Sequence, residues 1–152
     1  MVTLYENLIN DLKNLLKTKN IKFRKIFSLI NNAKFNEIIE IINDETIQTL
    51  IENIVNERDK IGNNLENKLN NLLWLNERLV QFGEEPQLSK KKSLELLKKK
   101  VFINIYDLES ENYEKRTTKE LLRKELRNKR DRRFPLESSK GNITLKCFLI
   151  KL

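Results

Sequence analysis

From Ile47 onward, apolar residues recur at seven-residue intervals, at Ile47, Ile54, Ile61, Leu75 and Phe82, with companions four further on at Ile51, Leu65, Leu72 and Leu79. A period near 3.5 residues keeps one face of an α-helix against a neighbouring helix over many turns, so this stripe is the seam of a coiled-coil-like helix. The spacing predicts one continuous helix over 46–82, roughly 36 residues and about 55 Å long at 1.5 Å per residue. Asp44 is its expected N-cap, and Gly83 followed by Pro86 its expected stop. Two seam positions are polar, Arg58 and Lys68. In a seam shared by two chains each costs stability unless it meets an acidic partner, and such residues can set register. The alternative is that the helix packs on its own N-terminal helices and leaves both positions at the edge of the stripe. The candidate seam residues are Ile47, Ile51, Ile54, Ile61, Leu65, Leu72, Leu75 and Leu79. The partner they imply is a second copy or another helical protein.

The remaining patterns are also helical. Leu4, Leu8, Leu12, Leu15 and Leu16 predict a helix over roughly 2–18, ended by Lys19–Asn20. Ile21, Phe23, Ile26, Phe27 and Ile30 form a second stripe, and Phe35, Ile38, Ile39 and Ile42 a third. With three glycines and two prolines in 152 residues, the chain lacks the turn residues of a sandwich or barrel. The expected fold class is therefore mainly α. Short N-terminal helices pack with one long coiled-coil-like helix, and a basic C-terminal module, helical or α+β, follows. The expected division is 1–85, containing the long helix 46–82, and 86–152. Leu94, Leu97, Val101, Ile105 and Leu108 suit a helix from about Ser89 to Leu108, although VFINIY over 101–106 taken alone has the β-branched and aromatic content of a strand. The final run, 143–152, suits a helix through Leu145, Phe148, Leu149 and Leu152, or a strand through Ile143, Leu145, Cys147 and Leu149; both readings stay open.

Charge is the second constraint. Lys115 to Arg133 holds ten basic residues against Glu120, Glu125 and Asp131, a local +7 in a chain whose net charge is +8. Twenty asparagines and the excess of Ile and Lys suggest an AT-rich coding sequence, so lysine alone is a weak signal. Arginine is the stronger one, and six of nine arginines fall in this stretch. The functional reading is an amphipathic helix beginning at Thr117 or Thr118, docked through Leu122 and Leu126, with Arg123, Lys124, Arg127 and Arg130 facing outward. Guanidinium groups suit bidentate phosphate contact, so Arg116, Arg123, Lys124, Arg127, Arg130, Arg132 and Arg133 are the candidate anion or nucleic-acid contacts, with Lys90 to Lys100 as a second basic region. The competing reading is that these cations pair internally with the acidic segment 37–85.

Several chemistries are closed. There is no histidine and the only cysteine is Cys147, which excludes Ser-His-Asp and Cys-His machinery and a thiolate zinc site. Gly62, Gly83 and Gly141 are isolated, so no glycine-rich phosphate loop exists. Glu84 with Glu85 and Asp107 with Glu109 read as ordinary surface carboxylates, Trp74 as an edge packing residue, and Phe134 as a core plug at a turn. No zinc-knuckle, RRM or KH signature supports base-specific readout. No cofactor or metal is expected, no stretch is long and apolar enough to span a membrane, and a lone cysteine fits an intracellular setting, cytoplasmic or nuclear. The expected function is a non-catalytic helical interaction or assembly protein with a basic C-terminal surface. The alternative is a nucleic-acid-binding protein that contacts phosphates through 116–133 without base-specific readout. An acidic protein is the other partner such a surface fits.

Overall fold

The three N-terminal stripes become α1 (Leu4–Thr18), α2 (Phe23–Asn31) and α3 (Phe35–Ile41) in a computed structural model, which describes residues 2–134 apart from the side chain of Arg130. Five helices follow: α4 (Glu45–Leu69), α5 (Leu72–Gln81), α6 (Lys90–Lys100), α7 (Ile105–Glu109) and α8 (Lys119–Asn128). Single 3-10 turns lie at Tyr113–Lys115 and Arg130–Arg132. Among the described residues there is no strand, only one isolated antiparallel bridge between Phe102 and Thr117. The fold is all-α, as the periodicity and the scarcity of turn residues predict. The run 143–152 and Cys147 lie outside the described residues.

Local chemistry accounts for most helix ends. Thr3, Asp44, Asn71, Ser89, Asn104 and Thr118 each accept a hydrogen bond from a backbone N–H of the turn they open, which satisfies donors the helix cannot. Asp44 accepts from Thr46 N at 2.9 Å and Ile47 N at 3.2 Å. The hydrogen bond from Lys19, then these backbone donors, hold its carboxyl pKa below the usual value. At the other end, α1, α2, α5 and α7 close with one left-handed residue each, namely Asn20, Ala33, Gly83 and Glu111. In each case the next N–H reaches back to a carbonyl of the last turn, as Glu84 N does to Leu79 O at 2.8 Å and Ile21 N to Leu16 O at 2.9 Å. Glycine adopts that backbone without penalty; alanine and glutamate do not.

The predicted helix over 46–82 is interrupted. α4 ends at Leu69, and Asn71 takes an extended backbone while its side chain accepts from Trp74 N at 3.1 Å. Asparagine offers the backbone a side-chain partner in place of the next helical bond, so an Asn–Asn step inside an apolar stripe becomes a cap instead of a turn. The stripe itself holds on both sides of the break.

The chain forms two compact units, Met1–Lys60 and Ile61–Leu152, and the division falls inside α4. In the first unit the core is Tyr5, Ile9, Leu12 and Leu16 of α1, Ile26, Phe27 and Ile30 of α2, Ile38 of α3, and Ile47, Ile51 and Ile54 of α4. In the second it is Leu65, Leu69, Leu75, Leu79, Leu97, Ile105, Leu108, Leu122 and Phe134. The expected boundary at 85/86 lies within the second unit. Asn76 of α5 exchanges hydrogen bonds of 2.9 Å with the backbone of Gln87 and accepts from Ser93 Oγ at 2.8 Å, so the Gly83–Pro86 turn folds α6 back onto α5. The predicted helix from Ser89 to Leu108 stops at Lys100. Val101 is extended, Phe102 accepts from Thr117 N at 2.8 Å, and Asn104 caps a new helix, α7.

Candidate nucleic-acid interface

The arginine-rich segment divides into side chains that turn inward and side chains left in water. Arg116 turns inward. Its Nη1 donates to Phe82 O at 2.9 Å and its Nη2 to Lys100 O at 3.0 Å, while its guanidinium lies 5.0 Å from the Phe82 ring centroid. Phe82 and Lys100 are the ends of α5 and α6, where unpaired carbonyls and the negative pole of each helix favour a cation. Arg116 is thus a clamp between two helix C-termini. Arg133 does the same for α8, donating from Nε to Leu126 O at 2.6 Å.

Arg132 is held by carboxylates. Its Nη2 meets Asp107 Oδ2 at 2.7 Å and its Nε meets Glu125 Oε1 at 3.4 Å, with the Tyr106 ring 5.8 Å away. Asn104 Nδ2 donates to Arg132 O at 2.8 Å, and the Phe134 ring packs against Tyr106 at 5.9 Å, so the segment after α8 is latched onto α7. Burial works against the charged guanidinium, but the hydrogen bond and charge of Asp107, then those of Glu125, outweigh it and raise the Arg132 pKa. These partners lie outside the acidic segment 37–85. Phe134 is the core plug the sequence suggested, and Asp107 is a buried ion-pair partner, not a surface carboxylate.

What remains outward is mostly lysine. Lys124 and Arg127 of α8 are exposed and Arg123 is half-buried, with Leu122 buried and Leu126 half-buried beneath them. Thr118 is the N-cap of α8, accepting from Leu121 N at 3.2 Å. The side chain of Arg130 is not among those described. On α6, Lys90, Lys91, Lys92, Lys98, Lys99 and Lys100 are all exposed. The Phe102–Thr117 bridge and the Arg116 clamp bring the C-terminal end of α6 to the residues that open α8. Lys98, Lys99, Lys100, Lys115 and Lys119 therefore converge on one junction, against Glu114 and Glu120 in the same stretches. Among the described residues none of these five lysines, nor Arg123, Lys124 or Arg127, makes an ion pair. Arg123 Nε is buried with no hydrogen-bond partner.

The seam residues have a different fate. Ile47, Ile51, Ile54, Ile61, Leu65, Leu75 and Leu79 are buried within the single chain and Leu72 is half-buried. A stripe already covered has little apolar area left to bury against a second helix. Arg58, 3 % exposed, donates from Nη1 to Asn31 Oδ1 at 2.8 Å and meets no carboxylate among the described residues. Lys68 donates to Glu109 O, the end of α7, at 3.0 Å, with a Glu111 carboxylate oxygen at 4.0 Å. Trp74 is half-buried and stacks on Arg78, whose guanidinium lies 5.3 Å from the Trp74 ring and 4.9 Å from the Tyr113 ring. Tyr113, a candidate stacking residue by its position, is thereby occupied by Arg78, which also donates to its hydroxyl at 2.8 Å.

Among the described residues no group of three or more carboxylates, histidines or cysteines is placed to hold a metal ion, and no helix is long and apolar enough to cross a membrane. No family model, curated protein or solved structure matches the chain.

Proposed function

We propose that this is a non-catalytic helical interaction protein whose basic C-terminal surface binds the phosphate backbone of nucleic acid without reading bases. The observation that carries the reading is the junction of α6 and α8. Two lysine-rich segments meet across the Phe102–Thr117 bridge, and their cations lack carboxylate partners among the described residues. Uncompensated positive charge spread over two adjoining elements suits a polyanion, which gains by releasing condensed counterions and is indifferent to base identity. The contacts assigned are Lys98, Lys99, Lys100, Lys119, Arg123, Lys124 and Arg127. Arg116, Arg132 and Arg133 support the surface from within.

The test is fluorescence anisotropy of a labelled oligonucleotide, single-stranded and duplex, titrated at several salt concentrations. Engagement of about four phosphates predicts a slope of log affinity against log salt near −3.6 for duplex. Replacing Lys98, Lys99, Lys100, Lys119, Lys124 and Arg127 together by Gln lowers affinity by at least about tenfold while leaving the helical circular dichroism unchanged. Equal retention of the parent and this variant, or no binding at low salt, would overturn the reading.

A further inference from the structure

Within the first unit, α3 and α4 leave an open groove of about 590 Å³ between them. Its floor is Ile38 and Ile51, both buried, and its walls are Phe35 and Ile39 from α3 and Val55 from α4. Phe35 and Ile39 sit one turn apart and are 39 % and 46 % exposed. Apolar side chains left open on either side of a concave surface gain about 25 cal/mol for every Å² that a partner covers, and such patches mark interaction sites. α3 itself is short, seven residues with no side-chain cap at its start, so it has more to gain from a partner than a long helix does.

The second observation is charge. Residues 35–57 contain Glu37, Glu40, Asp44, Glu45, Glu52 and Glu57 and not one lysine or arginine. Asp44 is engaged by Lys19 at 3.1 Å, whereas Glu37, Glu40, Glu45 and Glu52 make no ion pair among the described residues. Glu45, Gln48 and Glu52 follow one another at helical spacing along α4, and the latter two line the groove. An acidic rim over an apolar floor repels nucleic acid and selects an occupant that is apolar on one side and cationic at its margins.

We propose that this groove receives an amphipathic helix from a second protein, with apolar residues at i, i+3 or i+4 and i+7 and Lys or Arg beside them. The lining of α4 runs from Gln48 to Asn56, about 12 Å at 1.5 Å per residue, which matches the two turns such a helix lays into a groove. Phe35, Ile39 and Val55 take its apolar anchors, and Glu45 and Glu52 face its flanking cations. The inference stands independently of the nucleic-acid reading, since it uses none of the same residues.

The probe is a fluorescein-labelled synthetic peptide of about 15 residues, Leu at i, i+3, i+4 and i+7 and Lys at the flanking positions, titrated with the full chain. Saturable binding is expected. The double variant Phe35→Ser, Ile39→Ser and the charge-reversed variant Glu45→Lys, Glu52→Lys each weaken it by about tenfold or more, and the second also reduces its salt dependence. All four positions are at least partly exposed, so circular dichroism stays that of the parent. Replacing Lys98, Lys99 and Lys100 by Gln leaves the affinity unchanged, which separates this site from the basic surface. Absence of saturable binding, or binding that neither groove variant alters, overturns the proposal. So does a homodimer in sedimentation that the Phe35→Ser, Ile39→Ser variant dissociates, because the occupant is then a second copy.

Discussion

The two units are built from the same kind of helix and treat charge in opposite ways. Residues 1–60 contain nine basic and nine acidic residues, whereas 61–152 contain twenty-one and thirteen, so the whole +8 of the chain arises in the second unit. The neutral unit buries a cation without a counter-charge, Arg58 on the amide of Asn31. The basic unit gives partners to several of the cations it half-buries, Arg132 on two carboxylates, Arg116 on two carbonyls and Lys68 on one more, while Arg123 makes no ion pair among the described residues. The lesson concerns side-chain chemistry more than net charge. Flat guanidinium forks are drawn to helix C-termini and buried carboxylates, and the strongly hydrated ammonium groups are left at the surface.

The contrast can be broken most severely at the Arg132 latch. Replacing Asp107 by Ala takes the nearest carboxylate from a guanidinium side chain that is 15 % exposed, Glu125 lying farther off at 3.4 Å, and is expected to cost about 3–5 kcal/mol. Trp74 is the only tryptophan and lies in the second unit, so the urea midpoint of its fluorescence reads that loss directly. A shift below about 1 kcal/mol would mean the latch is ornamental.

Arg58 is expected to respond with the opposite sign. Arg58→Met keeps the volume of the stem and removes a buried charge that faces only an amide and whose Nε is unpartnered. Far-UV circular dichroism in urea should show the first unit as stable as before or more so by about 1 kcal/mol or more. A loss of several kcal/mol would show that the Arg58–Asn31 hydrogen bond outweighs the desolvation of the charge.

The smallest effects sit at the left-handed helix ends. Ala33, at φ 55°, should gain about 0.5–1 kcal/mol on replacement by Gly, because the backbone strain removed exceeds the entropy that glycine adds. Gly83→Ala in the second unit should lose a similar amount. A Cβ there meets nothing within 4 Å, so the loss comes from φ +83° alone. If both changes are neutral within thermal-denaturation error, the ends of α2 and α5 are not held in the left-handed form in solution.

Much of the fold was legible because it is local. The stripe from Ile47 to Leu65, the Asp44 and Thr118 caps, the Gly83 stop and the Leu122 docking contact follow from spacing of three or four residues and from side chains that bond the nearest turn. The break at Asn71 was misread because its apolar neighbours Leu72 and Leu75 keep the period running through it, and a cap inside an unbroken stripe has no signature in hydropathy. The spacing leaves VFINIY open between helix and strand because the residue that pairs with Phe102, Thr117, lies fifteen positions away.

By itself the amino-acid sequence determined a mainly helical chain, the places where most of its described helices begin and end, and a surplus of positive charge in its C-terminal part. Those outcomes rest on interactions within one or two turns. Tertiary structure alone decided which cations stay in water. Arg116 and Arg132 find their partners 34 and 25 positions away, and contacts at that separation depend on how helices pack rather than on how residues are spaced. The same packing covers the Ile47–Leu79 seam inside the chain and leaves Phe35 and Ile39 uncovered, since burial is a property of neighbouring surfaces and not of any residue on its own.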